Sequence, residues 1–234
     1  MDLSTMLPEL LTAMPLTLGI LFAAIVVGFF LALIVTFFRV RRIPVFSQLA
    51  DIYVSYARSV PVVLQLFVAF YGMPLLAGLV GVEDFFSSNI AAMIGLSLYH
   101  GGYLSEVMRP AFLAVERGQH DATDSLGYSF FQKMKRVVGP QAVHFALPGY
   151  GNSIIYLIHN VALVMYIGAA DLMATAHVIM EHDYNQYQFA TYMVLAVIYS
   201  LMCLVAWLII RFFERRHAKY SSKSATRVKL TPSV

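Results

Sequence analysis

The sequence predicts an all-α integral membrane protein with five spanning helices, its N-terminus outside and its C-terminus inside. Three observations predict it. Hydrophobic residues make up 59% of the 234-residue chain and charged residues 12%, and the mean hydropathy is +0.71, above the range of water-soluble domains. Five apolar stretches stand out, at 14–38, 57–80, 89–110, 150–170 and 189–212, each near the ~20 residues that cross a hydrocarbon layer. With the N-terminus placed outside, all 16 Lys and Arg fall on the inner face.

The first stretch begins after a segment whose only charges are Asp2 and Glu9. With no basic leader and a long apolar run, it reads as a retained helix rather than a signal peptide. The first inner stretch, with the adjoining end of the second span, holds Arg39, Arg41, Arg42 and Arg58. The second, with the adjoining end of the third span, holds Arg109, Arg117, Lys133, Lys135 and Arg136, and the remaining seven lie at the end of the fifth span and beyond it. The outer face carries Asp2, Glu9, Glu83, Asp84, Asp171, Glu181 and Asp183. This asymmetry is the positive-inside pattern, and it explains the +3 net charge through anionic lipid rather than nucleic acid. The basic, Ser/Thr-rich tail, 217–234, reads as disordered. Cys203 has no partner for an internal disulfide and sits in an apolar run as a packing residue.

The inner segment "GQHDATDSLGYSFFQKMKRVVGP", Gly118–Pro140, is the longest polar departure in the chain. Gln119–Leu126 fits a short helix, with Asp121 near its positive N-terminal end. Gly127 breaks it, either through a positive φ or to allow a close backbone approach. Phe130, Met134, Val137 and Val138 then recur at helical spacing with Lys133, Lys135 and Arg136 outward, and Pro140 ends this second helix. The pattern fits a surface loop or an element that docks against another protein.

The spacing Asp121-Ala122-Thr123-x₃-Gly127-x₁₁-Gly139-Pro140 resembles the EAA motif of ABC importer permeases. Asp121 stands for Glu, Thr123 for the second Ala and Gly139 for Leu. "YARSVPVVLQLFVAFYGMP" (Tyr56–Pro74), "GGYLSEVMRPAFLAVERGQ" (Gly101–Gln119) and "GPQAVHFALPGYGNSIIYLI" (Gly139–Ile158) are similar to further segments of the polar amino acid permeases, in the same order, across 14–216. The nearest resemblance is to cystine-type permeases. It implies a type I importer domain with an EAA-like loop at 111–149 and a coupling helix formed by Gln119, Asp121, Ala122, Thr123 and Gly127, with Pro140 beyond. It also implies partners: ATPase subunits that bind ATP and Mg, an extracytoplasmic binding protein, and a second permease copy or paralogue in the bacterial cell membrane. No phosphate-binding loop of the G-x-x-x-x-G-K-[ST] type occurs in this chain.

Several residues are candidates for the substrate path, each with a plainer alternative. Glu106, an acid inside a span, can meet a substrate ammonium or pair with Arg109 one turn on. Arg58 can fork to a carboxylate or anchor the helix at the membrane face. Gln65 and Tyr71 can line the path or stitch helices. Asn152, Tyr156, His159 and Asn160 form a polar stripe on the fourth span, and His159, standing where the family has Lys, can titrate or simply hydrogen-bond. Glu181-His182-Asp183 reads as an acidic loop rather than a metal site. A rival reading is a secondary transporter or channel with Glu106 and His159 in an ion path. A membrane enzyme is a third, disfavoured by the lack of a catalytic cluster.

Overall fold

The computed structural model describes residues 3–79, 87–182, 184 and 186–228, with the backbone alone at 3–5 and 217–228. Asp2, Glu83, Asp84, Asp183 and Lys229, which entered the charge count, lie outside the described residues. Among those described there is no strand. The helices run in the order α1 (Leu3–Thr12), α2 (Met14–Arg41), α3 (Phe46–Ser59), α4 (Val62–Gly78), α5 (Ser88–Leu113), α6 (Arg117–Ser125) and α7 (Phe130–Lys133). A π turn (Met134–Val138) follows, then α8 (Gly139–Val161), a 3₁₀ segment (Ala162–Ile167), α9 (Leu172–His182) and α10 (Gln188–Val228).

Among the described residues, three helical runs are long and apolar enough to cross a membrane: 6–41, 130–167 and 188–216. The expected second span, 57–80, is not one helix. It breaks at Val60 and Pro61, where α3 and α4 meet at 117°, and the bent pair makes a fourth candidate. Pro61 has no N–H to donate and drives the residue before it to extended backbone, and Val60 has φ −93° and ψ 130°. The expected third span is the continuous α5, but its Ser, His, Glu and Arg make it too polar to count among the lipid-compatible helices. The fourth run starts far earlier than residue 150, because Pro140 does not end a helix: it sits at the start of α8, and the π turn ahead of it lets the helix continue. The tail at 217–228 continues α10 rather than losing structure. No Gly or Pro interrupts Glu214–Val228, and a formed helix extends more easily than it starts.

α5 lies at the centre, against α2, α3, α4 and α8, and half of its 26 residues are buried. Small residues allow this. A Cβ at Gly28 of α2 would come within 2.9 Å of His100, and one at Gly102 of α5 would overlap Ala57 of α3. Leu66, Leu96, Leu157 and Val161 close the core between α4, α5 and α8. A second cluster joins α1, α9 and α10 through Met6, Leu10, Leu172, Ala176 and Leu195. The buried Thr17 hydroxyl ties the two regions, accepting from Leu172 N–H at 2.9 Å and donating to Ala13 C=O at 3.1 Å. Asp171 caps α9, its Oδ1 accepting from Ala174 N–H at 2.9 Å, while its buried Oδ2 has no hydrogen-bond partner.

Two expectations follow. Gly102→Val places branched carbons where Ala57 already sits, and overpacking of this kind costs about 1–3 kcal/mol; thermal unfolding of the detergent-solubilised chain reads the loss. Burial pushes the Asp171 carboxyl up to about 6 from 3.8, against the pull of the α9 N–H groups. The folded chain therefore holds this proton across a window in which the unfolded chain releases it, and stability falls as pH rises from about 4 to 6. Asp171→Asn keeps a capping oxygen and should flatten that slope in a pH series of melting curves.

Candidate functional site

Glu106 of α5 is the hub of an ionic cluster at the end of the bundle where α2 finishes and α3 packs. Its Oε2 accepts from Arg58 of α3 at 2.7 Å, and its Oε1 accepts from Arg39 of α2. Arg39 also donates through Nε to Asp51 at 2.6 Å. Arg109, the partner expected one turn along α5, stands further off at 3.8 Å, outside hydrogen-bond reach. Glu106 thus belongs to a cluster drawn from three helices, which includes the i,i+3 ion pair with Arg109. Arg39 was legible only as a membrane-face anchor, because nothing local in the sequence relates residue 39 to residue 106.

This cluster walls a cleft of about 470 Å³, lined by Arg39, Asp51, Ser55, Arg58, Tyr103 and Glu106. Two cations and two anions face it, so its lining is charge-balanced yet polar. The Arg39 side chain is 11% exposed and that of Arg58 is 52% exposed. Arg58 can therefore reach an incoming group while Arg39 keeps Glu106 compensated, which matters because a part-buried carboxylate without a partner is costly.

The other candidates divide. Gln65 is buried and its amide donates to Ala57 C=O at 2.9 Å and Val60 C=O at 2.7 Å, carbonyls left without helical partners by the break at Pro61. It stitches the α3–α4 joint and does not line the cleft. Tyr71 is exposed on α4 against Phe67 and Phe70, also away from the cleft. Asn152, Tyr156 and His159 are exposed on α8. The stripe splits at its far end: Asn160 turns toward Tyr99 of α5, whose ring lies 4.7 Å from that of the cleft residue Tyr103. His159 turns toward α10, its Nε2 3.5 Å from Cys203 Sγ, in a separate groove of about 680 Å³ with Tyr199, Ser200 and Trp207. Glu106 and His159 thus line two different cavities.

α6 and α7 form the expected polar hairpin, with Gln119, Asp121 and Ala122 exposed and Thr123 buried. Gly127 has φ +70° and a Cβ there would meet nothing within 4 Å, so glycine is needed for the backbone and not for close approach. The N–H of Gly127 donates to Asp124 C=O at 3.0 Å and that of Tyr128 to Thr123 C=O at 3.1 Å, the Schellman closure of a helix. Ser129 and Gln132 then form a capping box, a signal readable in Ser-x-x-Gln that the hydrophobic pattern alone passes over. Lys133 reaches back to Asp124 at 2.8 Å and clamps α7 to α6. Phe130, Met134 and Val137 occupy an α-to-π transition rather than one amphipathic helix.

Residues 24–219 match the family described as the inner membrane component of binding-protein-dependent transport systems. The chain is 34% identical to the "Probable amino-acid permease protein YxeN" of Bacillus subtilis (strain 168), covering 91% of this chain and 92% of that one. It is 30% identical to the L-cystine transport system permease protein TcyL of the same organism, over 94% and 91%. Among solved structures it is similar to the crystal structure of an amino acid ABC transporter with histidines, with a TM-score of 0.77 and 28% identity, covering 92% of this chain and 99% of that chain. The all-helical fold agrees with these likenesses, and the chain belongs to the binding-protein-dependent transport system inner membrane component family, as a permease subunit of an amino-acid ABC importer.

Proposed function

We propose that this chain forms half of an ATP-driven importer that takes a polar amino acid, with L-cystine the foremost candidate, from an extracytoplasmic binding protein into a bacterial cell. Two permease chains, identical or paralogous, enclose the path, and separate ATPase subunits bind ATP and Mg. The chain crosses the inner membrane five times, N-terminus out. On this reading α3 and α4 together make the broken second span, and α5 the third. At 26 residues and about 1.5 Å per residue, α5 is long enough, and its polar side chains are shielded by neighbouring helices instead of lipid.

The observation that carries the substrate class is the charge-balanced cleft. A zwitterion presents one carboxylate and one ammonium, and the cleft offers Arg58 and Arg39 for the first, Glu106 and Asp51 for the second. The substrate carboxylate would take over Arg58 while Arg39 retains Glu106, so no charge is left uncompensated during the exchange. Tyr103, Tyr99, Asn160 and the exposed Tyr156 and Asn152 extend the polar lining along α5 and α8. The α6–α7 hairpin, with Gln119, Asp121 and Ala122 outward, is the segment that meets the ATPase. The exposed Leu126 and Phe131 beside it supply apolar area for that contact.

Two measurements test this reading. Arg58→Lys keeps the charge but loses the planar fork; transport of labelled amino acid by proteoliposomes holding the permease, its ATPase and its binding protein should drop about tenfold or more, the equivalent of ~1.4 kcal/mol, with the amount of inserted chain unchanged. Parallel loss of inserted protein would reduce Arg58 to an anchor. For topology, a reporter active only in the cytoplasm should be on when fused after Arg136 and off after Glu181; the reverse pattern overturns the orientation.

A further inference from the structure

The helical run from Phe130 to Ile167 is unbroken but not uniform. Met134–Val138 form a π turn, closed by the Gly139 N–H donating to Met134 C=O. Such a turn holds one residue more than the α-helix on either side of it. The next two residues make that arrangement specific. Pro140 has no N–H for the Arg136 carbonyl, and in a regular helix its ring would press on that carbonyl. Gly139 has no side chain, and a Cβ built there would overlap the Met134 carbonyl oxygen. That oxygen is held by the π hydrogen bond itself, so it has little room to yield.

The π turn lies between two fixed bodies. On one side, Val138 is 1% exposed and packs with Val115 and Ala142, which seats the beginning of α8 against the end of α5. On the other, the Ser129–Gln132 capping box and the Lys133–Asp124 ion pair lock α7 to α6. The extra residue therefore decides how the hairpin is rotated about the α8 axis. One residue corresponds to about 100° of rotation and 1.5 Å of rise.

We propose that Gly139 is a positioning residue for energy coupling: by admitting the π turn it sets the rotational register of the α6–α7 hairpin relative to α8. The inference rests on the reading of that hairpin as the ATPase contact, while the register itself is measurable without it. A side chain at position 139 forces the turn toward regular α-helix with one residue too many, so the hairpin swings away from its seat. Deleting one residue from the turn, with Pro140→Ala so that a regular helix can pass, removes the surplus and restores the original register in a purely α-helical run.

The test uses the full-length chain in nanodiscs: distances are read with Cys203→Ser and spin labels at Gln119→Cys and Phe145→Cys, on opposite sides of the turn, while copurification and transport are read in unlabelled chains that keep Gln119. Three variants are compared: Gly139→Ala, deletion of the exposed Lys135 together with Pro140→Ala (the deletion variant), and all of these changes combined. Gly139→Ala should move the label distance by roughly 5 Å or more, the displacement expected of a ~100° rotation at helix-surface radius, and should lower both ATPase copurification and transport at least tenfold. The deletion variant should leave the distance as in the parent, and the combined variant should return distance, copurification and transport to within twofold of it. An unchanged distance in Gly139→Ala overturns the proposal, as does a shift that the deletion fails to reverse. Should Gly139→Ala fail to insert, the deletion variant alone still decides: a rotated hairpin there overturns the proposal, and a preserved distance supports it. If the parent chain retains no ATPase, the coupling reading fails, and the label distances still report on the register.

Discussion

The fold depends on α5 being buried in protein instead of lipid. This helix carries His100, Ser97, Ser105, Glu106 and Arg109, side chains that a hydrocarbon layer disfavours. Glycine and alanine on α5 and its neighbours let the backbones come close enough to enclose it, as at Gly28 beside His100 and Gly102 beside Ala57. Close packing of small surfaces is the main attraction available between helices once lipid has replaced water as the competitor. With α5 enclosed, α2, α3, α4 and α8 are arranged around it, and both the ionic cleft and the polar seam toward α8 lie on its surface.

The ionic cluster extends the same constraint to charge. A single carboxylate, Glu106, is approached by Arg39, Arg58 and Arg109 from three helices, with Asp51 restoring the balance. Redundant partners allow one arginine to be lent to a ligand without stranding a charge. The bend at Pro61 contributes directly, since it lets α3 fold back against α2 and α5 and bring Arg58 to Glu106. Gln65 supports that bend by occupying the carbonyls that it frees.

At the hairpin, local chemistry builds a rigid lever. A Schellman closure at Gly127, a capping box at Ser129 and the Lys133–Asp124 clamp leave the α6–α7 unit few internal freedoms. Its orientation is then set where it joins α8, at the π turn that Gly139 and Pro140 shape together.

Composition, charge asymmetry and hydrophobic period determined the membrane class, the helical architecture, the polar hairpin and the requirement for glycine at 127, because each depends on solvent preference or on a few consecutive torsion angles. The family resemblance was legible for a related reason, as its motifs are short runs read in order. The tertiary structure alone decided what depends on distant residues meeting. Arg39 joins Glu106 across 67 positions, Gln65 serves a helix joint instead of the cleft, and His159 parts from Asn160 to face α10. The enclosure of α5 also belongs here, since it is shielded by packing that no hydropathy window contains. Pro140 is the instructive case: the rule that proline stops a helix is sound for regular α geometry, but a wide turn closed on Gly139 removes the clash that the rule assumes.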